Sequence, residues 1–193
     1  MKILLLPVAL IYLLAACNGQ STIANNTVSN FHFKSIFGTK ATDSSHMYCL
    51  LGNGFVRTPS SNNADSMIED WIKTHQNAQI IPVTASEMEM DEKHHKIKLT
   101  YCWITDGKDT INNFLVRNGC FPNQTMIRPL KWEEMSAEER EVYDNDKVGY
   151  GTTEVFINDE SFGKFMEQIQ AADQYAYEHY LGIWKDEELR NKR

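Results

Sequence analysis

Thiols, imidazoles, tyrosine rings and clustered charge are the side chains of this sequence that could do chemistry. Apart from Cys17 near the start, the cysteines are Cys49, Cys102 and Cys120. Three thiols can close one internal bridge and leave one over, and which pair would form stays open. No two of them have the close spacing of a zinc site, so the competing reading is small apolar side chains buried on strands. His94 and His95 are the best transition-metal candidates, since imidazole is the commonest such ligand. Adjacent strand residues point to opposite faces, however, so the pair does not suit one mononuclear site. His32, His46, His75 and His179 are scattered and form no recognisable pair with a nucleophile. No metal and no cofactor is expected from these residues.

The charge pattern narrows the partners. The formal net charge is −7, and residues 130–160 account for nearly all of it, with ten acidic side chains against Lys131, Arg140 and Lys147. A nucleic-acid binder needs a basic stripe to collect counterion-release free energy, and this chain offers Lys93, Lys96 and Lys98 beside two histidines. Tyr175, Tyr177 and Tyr180 read as core and rim packing ahead of a base-stacking platform.

The elements that must position these groups follow from periodicity. Short apolar runs at 31–33, 36–37 and 47–51, separated by turn residues and stopped by Gly52-Asn53-Gly54, predict strands. Residues 60–65 read as a loop and helix start, and Met67, Ile68, Trp71 and Ile72 predict a helix ended near 75–78. A strand follows at 79–83, with Pro82 at an edge or terminus. The acidic 87–92 and basic 93–96 runs predict a solvated hairpin. From Leu99 a β-branched and aromatic run meets Asp106-Gly107. Ile111, Leu115 and Val116 then recur at helical spacing until Gly119. Ser136 and Glu139 are spaced as a capping box, and 153–157 reads as a strand. Phe162, Phe165, Met166, Ile169, Ala172 and Ala176 draw one apolar stripe on a last helix ended by Gly182, with Trp184 folding back to seal the barrel of strands.

The N-terminus carries its own signal. Residues 3–14 are apolar, long enough for a signal-peptide core and too short for a span of about 20 residues. Leu14-Ala15-Ala16-Cys17 resembles the bacterial lipobox. It implies a signal peptide over 1–16 and acylation of Cys17, for instance by palmitate. The product is an exported, membrane-anchored lipoprotein of the bacterial cell envelope. Residues 17–30 read as a flexible tether, 31–186 as a single domain, and 187–193 as a charged, frayed tail.

Two separated stretches share an order with one family. Leu99, Tyr101, Asp106, Gly107, Asn112, Leu115, Val116, Arg117 and Gly119 form the first. Ala172, Asp173, Ala176, Gly182, Ile183 and Trp184 form the second. Together they resemble staphylococcal-nuclease-like (thermonuclease) domains. The resemblance implies an α+β fold: an OB-type five-stranded β-barrel with helices packed against it, here carrying an acidic insertion over 130–160. In that family two acidic residues bind calcium, arginines clamp the phosphate, and a Glu after Val-Asp-Thr-Pro activates water. The corresponding stretch here is Phe55-Val56-Arg57-Thr58-Pro59-Ser60, and the next acidic residue is Asp65. The second arginine is replaced by His94-His95-Lys96-Ile97-Lys98, and a lysine lacks the two-pronged grip of a guanidinium. Under another alignment Thr105-Asp106-Gly107-Lys108-Asp109 would be the calcium loop, making Asp106 and Asp109 ligands. The later alignment places more residues. The expected function is a non-catalytic module that binds a protein or a surface polymer. The alternative is a calcium-dependent nuclease acting on nucleic acid, with Arg57, Arg117, Asp106 and Asp109 the residues to examine.

Overall fold

In the computed structural model, residues 26–53, 58–89, 96–107, 109–123, 128–146 and 154–193 are described. Three strands open the fold as an antiparallel meander: β1 (Phe31–Lys34), β2 (Phe37–Lys40) and β3 (Asp43–Leu50). Helix α1 (Ala64–Thr74) follows and buries Ala64, Ile68 and Trp71, the face its periodicity marks. Strands β4 (Gln79–Glu89) and β5 (Lys96–Asp106) then form a long antiparallel hairpin. A diagonal ion pair supports its distal end, where Lys96 reaches Glu87 across the hairpin at 3.4 Å. β4 runs six residues past the 79–83 expected from sequence. Pro82 does not end it, because the ladder slips register between Pro82 and Thr84 and so needs no amide there.

A short β6 (Asp109–Thr110) folds back on β5 and leads into α2 (Ile111–Arg117), whose first turn is capped by Thr110 accepting from the Asn113 amide. The acidic stretch contributes α3 (Ala137–Asp146) and β7 (Glu154–Val155). Ser136 and Glu139 do form a reciprocal cap, at 2.7 and 3.1 Å. Last come α4 (Asp159–Glu178), capped by Asn158, and α5 (Glu187–Asn191).

The fold is α+β, but the sheet is not a closed five-stranded barrel. Among the described residues it has seven strands, in the order β1-β2-β3-β5-β4-β7 with β6 attached to β5. The pair β3–β5 is parallel, and so the chain crosses over through α1 and β4 between them. The ladder stays open because the outer edge of β4 is already used. Thr84 and Ala85 pair with β7, and Val83 accepts from the Phe156 amide. Only the start of β4 meets the other side of the sheet. There Thr27 bridges Gln79, the Val28 amide donates to Ala78, and the Ile80 amide donates to Asn26.

That bridge brings in residues that composition assigns to the tether, and Val28 is fully buried. The opposite terminus is equally built in. α5 is capped by Asp186, and the Arg190 guanidinium lies 3.9 Å from the ring centres of both Tyr177 and Tyr180, so 187–193 is not a frayed tail. Trp184 does not seal the sheet. It forms a small cluster with Ala176 and Ile183 on the last helix, edge-on to Tyr177. Among the described residues no helix is long and apolar enough to cross a membrane.

The two motifs that lie far apart in sequence touch through their glycines. Gly119 (φ +66°) and Gly182 (φ +51°) pack backbone to backbone, and the Ile183 amide donates to Gly119 at 2.8 Å. A Cβ on Gly119 would sit 2.2 Å from the Leu181 carbonyl oxygen, and one on Gly182 would sit 2.0 Å from that of Gly119. Gly119→Ala or Gly182→Ala should therefore cost about 2–4 kcal/mol in denaturant unfolding. Gly163, inside α4 with open space around its Cβ position, is the control. Gly163→Ala should stabilise by about 0.5–1 kcal/mol.

Candidate functional site

The stretch that sequence singles out turns out to be mostly scaffold. Asn112 and Leu115 are fully buried. The Asn112 amide accepts from the Ile104 amide at 3.0 Å and donates to the carbonyls of Leu51 at 2.8 Å and Cys102 at 3.1 Å. Trp184 Nε1 donates to Asp173 Oδ1 at 3.2 Å, and Asp173 also accepts from the Asn123 amide and pairs with Arg193 at 3.0 Å. Arg117 lies over the ring of Tyr175 at 3.6 Å, which joins α2 to α4 by a cation–π contact.

Asp106 and Asp109 face each other across the tip of the β5–β6 hairpin, both exposed, on a turn that Gly107 permits with φ +63°. Among the described residues no three His, Cys, Asp or Glu side chains gather as a metal site. Cys17, Arg57, Lys93, His94 and His95 lie outside the described residues.

Cys49, Cys102 and Cys120 are all free and buried, so the structure takes the second of the two readings open to them. Register explains why the first pair does not bridge. Leu50, not Cys49, is the partner of Cys102 across the parallel strands, so the two side chains leave on opposite faces. The Cys102 thiol donates instead to the Cys49 carbonyl at 3.5 Å, and the Cys120 thiol to Met67 Sδ at 3.4 Å. Burial pushes the Cys49 thiol up to about 12 and that of Cys102 well above its ordinary value, which leaves both as inert apolar groups.

One polar group escapes the sequence reading. His46, Tyr48 and Leu50 alternate onto one face of β3, and the parallel register sets Lys98, Thr100 and Cys102 beside them on β5. Towards Leu50 and Cys102 that face is core. Towards the strand starts it turns polar. His46 Nε2 lies 2.6 Å from Thr100 Oγ1, its ring stacks on Tyr48 at 4.3 Å, and the Tyr48 hydroxyl is 3.4 Å from Nδ1. Lys98 binds Glu154 of β7 at 2.6 Å, which fastens the acidic stretch to the sheet. Alternation of 46, 48, 50 and of 98, 100, 102 was the available signal. The pairing across 54 residues is not local, and sequence order does not reveal it.

A hydroxyl beside an imidazole is the geometry of nucleophile and base. Here Thr100 is only 2% exposed, so its oxygen meets no substrate. What the group can do is respond to protons. Burial lowers the pKa of His46 first, and neighbouring Lys98 lowers it further, against Asp43 and Glu154, which raise it.

No family model, no curated protein and no solved structure matches this chain.

The sign of the His46 effect is fixed by linkage. The folded state binds the imidazole proton more weakly than the unfolded chain does, so stability is complete above the ordinary histidine value of 6.5 and declines as pH falls through the folded value. The lowered carboxylates Asp43, Glu134 and Asp159 act in a separate and more acidic window, because their ordinary values are 3.8 to 4.5. Thermal melts should show stability falling as pH drops below about 6.5, and His46→Gln should flatten that slope.

Proposed function

We propose that this chain is a cell-envelope lipoprotein whose domain keeps a staphylococcal-nuclease-like, OB-type scaffold and uses it as a binding or interaction module. The scaffold reading is supported by the path of the first five strands. β1-β2-β3-β5-β4 runs through a parallel β3–β5 pair, and the bridge between Thr27 and Gln79 brings the lead-in of β1 to the start of β4, as in a partly open five-stranded barrel. It is also supported by the meeting of Gly119 with Gly182, which unites the two stretches that carry the resemblance.

The observation that carries the module reading is the employment of the matched residues. Asn112, Gly119, Gly182 and Trp184 hold backbone and helix together, and Arg117 is committed to the face of Tyr175. A scaffold of this kind can persist when its chemistry is gone, since packing and catalysis draw on different side chains. The acyl chains on Cys17 anchor the domain at a membrane surface, each buried methylene contributing about 0.8 kcal/mol. The partner is a protein or a surface polymer, and neither a metal nor another cofactor takes part.

The test is hydrolytic. With millimolar calcium the protein should leave single-stranded DNA and RNA intact over hours. Calcium-dependent cleavage that vanishes in Asp106→Ala or Asp109→Ala would make the chain a nuclease and overturn the module reading.

A further inference from the structure

We propose that the cleft between the tip of the β5–β6 hairpin and the N-terminal half of α4 binds a neutral saccharide. This names a ligand class for the module and rests on that reading. The cleft is an open groove of about 410 Å³, within the range of about 300–1,000 Å³ typical of small-molecule sites. Its floor is aromatic. Trp103 and Phe165 lie with ring centres 4.1 Å apart, and Ile81, the strand partner of Trp103, extends the apolar surface. Trp103 is half-buried, so part of the indole stays open to a ligand.

The walls supply hydrogen bonds in both senses. Ser161, Lys164 and Gln168 recur at three- and four-residue spacing along one face of α4, and Thr105 and Thr110 are partners across the facing hairpin. Thr110 accepts from the Asn113 amide through its oxygen and keeps its proton to donate. Thr105 donates to the Gly107 carbonyl and keeps its lone pairs. Among the described residues, Trp103 Nε1, the Ser161 hydroxyl and the Gln168 amide have no partner within the protein. Hydroxyls and an amide that both donate and accept match the hydroxyls of a sugar, and an indole face matches the C–H face of a pyranose ring.

Charge decides between ligand classes. Lys164 pairs with Glu160 at 2.5 Å, so the one cation in the lining already has a carboxylate beside it when a phosphate or carboxylate arrives. A cationic ligand finds no carboxylate among the lining residues. A nucleotide would have to bring its phosphate to a chain of net charge −7. A neutral polyol with one apolar face is the class that these groups fit.

The experiment is a titration of the full chain, watching the indole N–H resonances of its four tryptophans, with that of Trp103 identified by its loss in Trp103→Phe. The probes are maltose and N,N′-diacetylchitobiose, with uridine as a stacking competitor of another class. At least one sugar should shift the Trp103 signal saturably with a midpoint of about 1–10 mM. Ser161→Ala and Gln168→Ala should each weaken it about fivefold or more at unchanged melting temperature. No saturable shift by either sugar up to about 100 mM overturns the proposal. So does a shift that both alanine variants leave unchanged, or tighter saturation by uridine. The outcome is separable from the calcium assay. Intact nucleic acid with no sugar response removes the saccharide and leaves the module, whereas cleavage with a sugar response does the reverse.

Discussion

The side-chain amide of Asn112, at the start of α2, satisfies backbone groups from two strands at once. It takes the Ile104 amide and the Cys102 carbonyl of β5 and the Leu51 carbonyl just past β3, while the main-chain carbonyl of Asn112 accepts from the Asn53 side-chain amide. The β3–β5 ladder ends here at Leu50 and Cys102, with the Leu51 amide donating to the Cys102 carbonyl. Backbone polar groups buried there need partners, and a fully buried amide with two donors and one acceptor supplies three of them. The short helix α2 is thereby tied to the sheet by more than its apolar residues. Everything beyond α2 inherits its placement: Gly119 follows, and on Gly119 rests the turn at Gly182.

The rest of the molecule is arranged around that junction. Phe162, Phe165, Met166 and Ile169 of α4 pack on Leu51, Val83 and Val116, a cluster distinct from the larger core under α1 and the meander. The acidic stretch is attached at two points. Buried Arg128 binds Glu134 at 2.8 Å and also Asp159, in the first turn of α4, while Lys98 binds Glu154 at the edge of the sheet. A segment so charged has little apolar surface of its own, and ion pairs to the body take the place of a core. The same β7 that anchors it occupies the edge of β4, so one feature of the sequence, its acidic stretch, accounts for the open ladder.

Local signals were legible and non-local ones were not. The strand, turn and helix of β5, Gly107 and α2 follow from residue types within a few positions, as do the stripe of α4 and the cap at Ser136. Val28 was invisible because a single valine in a polar stretch has no periodicity. Its burial depends on a bridge to β4 some fifty residues away. The group around His46 was missed for the same reason: the parallel register of β3 with β5 brings Thr100 to it, and nothing in either strand announces the other. Trp184 was read as a seal on the sheet, yet its indole N–H finds the buried carboxylate of Asp173, and that bond turns it onto α4.

The central claim is that the Asn112 amide and the contact of Gly119 with Gly182 hold the fold together. Chemical unfolding of Asn112→Ala beside Arg117→Ala tests it most directly. Losing the amide leaves the buried Ile104 amide and Leu51 carbonyl without that partner and takes one of two bonds from the Cys102 carbonyl, so Asn112→Ala should lower stability by about 3–5 kcal/mol, while Arg117→Ala, which gives up one exposed cation–π contact, should cost about 1 kcal/mol or less. An Asn112→Ala protein whose unfolding midpoint stays within about 0.5 kcal/mol of the parent would contradict the account.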